Sequence, residues 1–149
     1  MSCKLAEERL RVLRYDNDTI KKVTTLILYH DLQISGTKES VRKWMGKIGI
    51  ELLEALIKVK EADCKAQNPE FYDARHKKLL ELKELTEEIL KNNECFTIKD
   101  LAIDGEVLIG LGYKQGREIG QILRRLLNAV IEDNDLNTRE KLLELIKRA

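Results

Sequence analysis

The turn around Gly116 contains the residue types that bind an anion. Lys114, Gly116 and Arg117 precede or begin an apolar, periodic stretch that is typical of a helix. The first N–H groups of a helix lack partners within it, and the helix dipole places about half a positive charge there. Because a glycine lets a bulky phosphate approach those groups, the turn is predicted to hold a nucleic-acid phosphate without reading a base. The alternative is an ordinary corner in which the glycines only form the turn.

Two helices are predicted to position this turn. Leu108, Ile109 and Leu111 indicate a short helix that Gly112 closes, and a second helix starts near Arg117. The apolar face of the second helix has i, i+3, i+4 spacing and consists of Ile119, Ile122, Leu123, Leu126, Leu127, Val130 and Ile131. Its other side carries Arg117, Gln121, Arg124, Arg125 and Asn128.

His30 and Asp31 form an adjacent pair at the predicted end of a helix, as metal-binding pairs in phosphohydrolases do. A metal site needs three or more ligands, and the other histidine, His76, lies far along the chain in a charged helix. The alternative is a partly buried polar pair that caps the helix end and meets a neighbour such as Arg42. We favour this second interpretation.

Other chemistry-bearing residues do not form a recognisable site. Cys3, Cys64 and Cys95 are widely spaced and odd in number, which argues against a disulfide framework or a structural zinc site and for a reducing compartment. Asp63 is predicted to pair with Lys or Arg in the core. No phosphate-binding loop of the GxxxxGK[ST] type and no carboxylate pair suited to two metal ions is present. The chain is therefore predicted to carry no active site of its own.

The composition predicts an all-α protein. Charged residues make up 36% of the 149 residues, aromatic residues 5%, and there is one proline. We expect seven to eight helices in two packed lobes, a helical body over residues 1–93 and a helical tail over 94–149, separated at the linker-like residues 92–94. The net charge of +1 is unevenly distributed, because residues 1–48 carry ten Lys and Arg against six Asp and Glu.

Several helices of the body can be placed from periodicity. Residues 4–14 are predicted to form a helix with Leu5, Leu10 and Leu13 inward, followed by a helix that Asp16 or Asp18 caps. The helix that Thr37 caps carries a cationic stripe that includes Lys38, Arg42 and Lys43. The helix over 50–67 is predicted to bury Leu52, Leu53, Leu56, Val59 and Ala62. The next helix starts at Asn68 and Pro69 and runs from Glu70 to Lys91, and Asn137 or Thr138 caps the last helix.

Four blocks in order carry a family resemblance: LRYDNDTIKKVTTLILYHD, VRKWMGKIG, VKEADCKAQNP and CFTIKDLAIDGEVLIGLGYKQGREIGQILRRLLNAVIEDNDLN. The chain resembles the C-terminal half of bacterial CCA-adding enzymes, the tRNA nucleotidyltransferases of the poly(A) polymerase-like group, in the version with an HD-type region before the tail. The resemblance covers almost the entire chain.

The resemblance implies that catalysis and tRNA positioning belong to different parts of the enzyme. Enzymes of this family add C, C and A to the 3′ end of tRNA using CTP, ATP and Mg²⁺, and their catalytic aspartates lie in an N-terminal head that is absent here. This chain is then expected to be inactive alone and to orient the tRNA acceptor arm through its phosphate backbone. The expected RNA contacts are Lys99, Lys114, Gly116, Arg117, Arg124 and Arg125, with Lys38, Arg42 and Lys43 as a weaker second patch. His30 and Asp31 would be the remnant of the HD-type metal site.

Two other functions stay open at this point. One is a metal-dependent phosphohydrolase remnant that uses His30 and Asp31, and the other is a helical protein-interaction or dimerisation module, including a homodimer. The charged N-terminus does not resemble a secretory signal, and no apolar run approaches the ~20 residues of a membrane span. We therefore expect a cytoplasmic protein whose partner is tRNA, with no cofactor bound to this chain.

Overall fold

The computed structural model describes residues 2–66 and 72–148, and within these ranges the regular elements are all helical. The α-helices are α1 (Ser2–Val12), α2 (Asn17–Tyr29), α3 (Lys38–Ile48), α4 (Ile50–Ala66), α5 (Tyr72–Lys91), α6 (Gly105–Gly110), α7 (Arg117–Glu132) and α8 (Arg139–Lys147). Short 3₁₀ turns lie at Ile98–Asp100 and Asn134–Leu136. The all-α prediction with seven to eight helices is confirmed. The predicted start of α5 at residues 68–70 lies outside the described residues.

Short polar side chains begin several helices. The Asp16 carboxylate accepts the backbone N–H of Thr19 at 2.9 Å, so that Asp16 rather than Asp18 caps α2. Thr37 caps α3 as predicted, and Thr138 rather than Asn137 caps α8. These caps satisfy N–H groups that have no partner inside the helix.

Buried side chains form two clusters on either side of the predicted boundary at residues 93 and 94. The body cluster joins α3, α4 and α5 and contains Val41, Met45, Leu53, Ile57, Cys64, Leu79, Leu82 and Ile89. The tail cluster surrounds α7 and contains Cys95, Leu101, Ile103, Leu108, Ile119, Leu123, Leu126, Val130, Leu142 and Ile146. The buried face predicted for α7 is therefore present, with Ile122 and Leu127 at its margin. The division of the chain into two domains stays a prediction.

The inward face predicted for α1 is wrong at two positions. Leu5 is 57% exposed and Leu13 is 67% exposed, whereas Leu10 is half-buried. The helix contacts α2 through a different side, since the Cys3 thiol lies 3.7 Å from the carbonyl oxygen of Thr24. Leu5 does not lie on that side of α1, and Leu13 follows the end of the helix.

The buried face of α4 is rotated from the predicted one. Val59 is 38% exposed and Ala62 is also exposed, while Ile57 and Cys64 are buried. The rotation follows from the neighbours of α4, because α5, α3 and α2 all contact it. No helix in residues 2–66 or 72–148 combines the length and the apolar character that a bilayer span requires.

Candidate nucleic-acid interface

The start of α7 is open, as the anion-site prediction requires. Gly116 is the N-cap residue with φ 122° and ψ −136°, a conformation that residues with a side chain rarely adopt. A Cβ atom added at Gly116 would meet nothing within 4 Å, so the space in front of this residue is free. No side chain among the described residues caps the first N–H groups of α7.

The solvent-exposed side of α7 carries the three arginines Arg117, Arg124 and Arg125, which we call the arginine stripe. Arg117 and Arg124 share one side of the helix because residues seven positions apart lie on one face, and Arg125 follows about 100° further around the helix. Within the described residues, no ion pair is formed by any of the three. Their charges are therefore available to an anionic partner.

Glu118 also belongs to this site, although the sequence pattern did not predict it. Its carboxylate accepts the backbone N–H of Lys114 at 3.3 Å, which ties the turn to the first turn of α7. A carboxylate beside a helix start occupies the position that an anion would favour. A phosphate must therefore approach from the side of Gly116 and Arg117.

Lys99 is exposed but lies near the other end of α7. Its 3₁₀ turn is held by Asn137, whose side chain donates to the carbonyl of Asp100 at 2.9 Å and accepts the N–H of Ala102 at 2.8 Å. Asn137 follows the C-terminal end of α7, a helix of 16 residues and hence about 24 Å long. The structure therefore brings Lys114, Gly116 and Arg117 together but does not place Lys99 with them.

The prediction that Arg42 belongs to the second cationic patch is wrong, because its side chain is buried. It is only 5% exposed, and its guanidinium donates to the Glu94 carboxylate and to the carbonyl oxygen of Ile131. The burial has a physical reason, because a forked guanidinium can satisfy both a carboxylate and a C-terminal helix carbonyl. A phosphate cannot reach a side chain that is enclosed in this way.

The other two members of the second patch already have acidic partners. The Lys38 ammonium lies 2.7 Å from the Glu88 carboxylate and 3.0 Å from that of Glu94. Lys43 pairs with Glu39 one helical turn away at 3.3 Å, and its side chain remains 63% exposed. Surface pairs of this kind are weak, so Lys43 is the member that a phosphate can still recruit.

Two pKa shifts reflect this network. Burial acts to raise the pKa of Glu94, but hydrogen bonds from Lys38, Arg42 and Asn92 outweigh it and hold that pKa below its ordinary value. The hydrogen bonds that Lys38 donates to Glu88 and Glu94 raise the pKa of Lys38. Both groups are therefore charged near neutral pH.

His30 and Asp31 lie on the surface at the end of α2. The His30 Nδ1 atom is hydrogen-bonded to the carbonyl oxygen of Ile27 at 2.8 Å, and Nε2 lies 3.2 Å from the Asp31 carboxylate. In the described part of the chain, no group of three His, Cys, Asp or Glu side chains has the arrangement of a metal site. The pair thus caps the helix end, but it is exposed rather than partly buried.

The neighbour of this pair is Lys60 and not Arg42. The Lys60 ammonium donates to the carbonyl oxygens of His30 and Leu32. Burial lowers the pKa of Lys60. The pair borders a cleft of about 790 Å³, which Asp63 also lines. Asp63 was predicted to lie in the core, but its side chain is exposed.

Two of the three thiols are enclosed in the core and do not act as nucleophiles at this surface. Cys64 and Cys95 are buried, and burial, with a smaller effect from the nearby Asp100 carboxylate, raises the pKa of the Cys95 thiol to about 11. A thiol with such a pKa is protonated and unreactive near neutral pH.

Comparison with known proteins agrees with the resemblance seen in the residues. A family model described as tRNA nucleotidyltransferase domain 2 matches residues 1–146. No curated protein and no solved structure matches the chain. Because the family match spans nearly the whole chain, this protein belongs to the tRNA nucleotidyltransferase domain 2 family and represents the C-terminal region of such an enzyme.

Proposed function

We propose that this chain binds tRNA by its phosphate backbone and positions the acceptor arm for a nucleotidyltransferase domain outside residues 1–149. The observation that carries the proposal is the open, uncapped start of α7 beside the arginine stripe. Family membership supports tRNA as the nucleic acid. CTP, ATP and Mg²⁺ belong to the catalytic domain in this proposal.

Phosphate contact suits this surface better than base reading in a duplex. The major groove of A-form RNA is too deep and narrow for side chains, so helical RNA is recognised through its backbone and shape. Arg117 and Arg124 lie seven residues apart, two turns along one face of α7. Such a row of cations can contact phosphates successively along one strand.

The test is a titration of the chain with tRNA that lacks its CCA end, at several salt concentrations, with duplex DNA as competitor. The double variant Arg117→Gln, Arg124→Gln should bind more weakly and reduce the slope of log K against log salt by about two, because each phosphate contact contributes about one to that slope. The matched control is Lys83→Gln, Lys91→Gln, which removes the same charge from exposed positions of α5. An unchanged slope in the α7 variant, or equal slopes in both variants, would refute the proposal.

A second function, protein interaction, is favoured by one apolar surface. Helices α1 and α2 and the residues that connect them expose Leu5, Val12, Leu13, Tyr15 and Leu28, with Val12 at 74% exposure. Surfaces of this kind mark interaction sites in soluble proteins. We propose that the catalytic domain covers this surface and that a second copy of the chain is the alternative occupant.

The two occupants are distinguished by the mass of the isolated chain in sedimentation over a range of concentrations. A monomer supports the catalytic domain as the occupant. A dimer that Val12→Ser with Leu13→Ser converts to a monomer supports the second copy.

A further inference from the structure

We infer that a cleft beside the arginine stripe binds one unstacked RNA base that carries an exocyclic amino group. The inference rests on the proposed function, because the phosphates on the stripe would bring the base to the cleft. The cleft has a volume of about 320 Å³ and lies between α7, α8 and the turn before α7. It is lined by Tyr113, Glu118, Gln121, Ile122, Arg125 and Ile146.

One wall of the cleft is aromatic and its neighbours are apolar. Tyr113 is half-buried and packs against the tail cluster, and its backbone N–H donates to the carbonyl of Leu108 at 3.2 Å. Gly112, with φ 95°, turns the chain so that Tyr113 follows α6 in this position. Ile122 and Ile146 supply apolar surface. Unstacked RNA bases bind to protein by stacking on such aromatic rings.

The polar groups of the cleft suit a base and not a phosphate. The Glu118 carboxylate would repel a phosphate from the cleft, whereas it can accept a hydrogen bond from the amino group of cytosine, adenine or guanine. The Gln121 amide can both donate and accept. Uracil has no exocyclic amino group, so it lacks the donor that Glu118 would select.

Arg125 connects the cleft with the phosphate contacts. It lines the cleft and also belongs to the arginine stripe. A guanidinium plane can stack on a base while its edge contacts a phosphate. One nucleotide can therefore place its phosphate on the arginine stripe and its base in the cleft. The Glu118 carboxylate repels the phosphate from the cleft but accepts a hydrogen bond from the base.

The test uses the full chain and three oligoribonucleotides of equal length and charge, about six nucleotides each: oligo(C), oligo(U) and an abasic ribose-phosphate chain. We expect oligo(C) to bind about tenfold more tightly than the abasic chain, since one stacked base contributes about that factor. Oligo(U) should bind more weakly than oligo(C). Equal affinity of the wild type for all three, or binding of none, would overturn the base site.

Glu118→Gln is the decisive variant. It should abolish the preference for oligo(C) over oligo(U) and strengthen binding of the abasic chain, because one negative charge is removed. A change that only loosened the fold would weaken all three complexes equally. Glu106→Gln, in the first turn of α6, is the matched control and should leave the preference unchanged.

Tyr113→Leu provides a second variant and should reduce the affinity for oligo(C) to that for the abasic chain. An unchanged affinity for oligo(C) would overturn the stacking role. Failure of the base site is distinguishable from failure of the proposed function. If only the base site were wrong, the chain would still bind tRNA in a salt-dependent manner, and Arg117→Gln would still weaken that binding.

Discussion

The Arg42 side chain donates two hydrogen bonds to the carbonyl oxygen of Ile131, from Nε at 3.0 Å and from Nη2 at 2.6 Å. Ile131 lies in the last turn of α7, where carbonyl groups have no partner within the helix and where a cation is favoured. The same guanidinium pairs with Glu94, whose side chain is only 7% exposed. A single residue of α3 therefore fixes the C-terminal end of α7 to the body.

Replacing Arg42 by methionine should destabilise the fold strongly. The change removes one of the two cationic partners of the buried Glu94 carboxylate and leaves Lys38 as the other, so the loss should approach the lower end of the about 3–5 kcal/mol that breaking a buried ion pair costs. The free energy of unfolding from urea titration measures the effect. Lys43→Met, at the neighbouring exposed position, is the control and should change stability by less than about 0.5 kcal/mol. Similar losses in both variants would contradict the role assigned to Arg42.

Glu94 should make the fold sensitive to acid. Its folded-state pKa lies below the ordinary value of 4.5, so the charged form stabilises the fold fully above the unfolded pKa, and this contribution is lost as pH falls below about 4.5 through the folded pKa. The unfolding free energy of Glu94→Gln should therefore fall less steeply over that range than that of the wild type. Glu88→Gln, at a half-exposed partner of Lys38, should retain most of the wild-type slope. Parallel curves for wild type and Glu94→Gln would rule out this origin of acid sensitivity.

Gly116→Ala should cost stability because of backbone conformation alone. The combination of φ 122° and ψ −136° is sparsely populated by residues other than glycine and is unfavourable for alanine by about 1–3 kcal/mol, although a Cβ atom there would meet no neighbour. Thermal unfolding and tRNA titration of the same variant measure both consequences, and we expect weaker binding since the turn must shift. Gly110→Ala, in α6 with equally open surroundings, should be neutral or slightly stabilising. A neutral Gly116→Ala would show that this turn is not constrained.

Gly46→Ala should be destabilising for a steric reason. A Cβ atom at this position of α3 would lie 2.3 Å from the backbone carbonyl oxygen of Phe96, which has no flexible end to move aside. We expect a loss of about 1–3 kcal/mol, as for overpacked sites. Gly120→Ala in α7 meets nothing within 4 Å and should stabilise the helix by up to about 1 kcal/mol. Opposite signs in denaturant titrations are the expected result, and a stable Gly46→Ala variant would contradict it.

The sequence pattern predicts the local features of the tail well. The period of α7 and the glycine before it place the helix start at Arg117, as observed. These features depend on neighbours within a few residues, so propensity and spacing determine them. The same holds for the cap at Thr37, and for α2 the pattern indicates Asp16 or Asp18, of which Asp16 is the observed cap.

Features that depend on distant partners could not be predicted. Arg42 resembles a surface cation beside Lys38 and Lys43, and its burial follows from Glu94 and Ile131, which lie 52 and 89 residues further along the chain. The cleft at Tyr113 requires Ile146 of α8. In each case the deciding contact joins segments whose relative position the local pattern does not specify.

The hydrogen bonds of Arg42 join α7 to the body at its C-terminal end. Gly116 lies at the opposite end of the helix, about 24 Å away. An RNA phosphate bound at that end would be held at a distance from the body set by the number of residues in the helix. Lengthening or shortening α7 by a turn would then move the bound RNA by about 5 Å relative to the body.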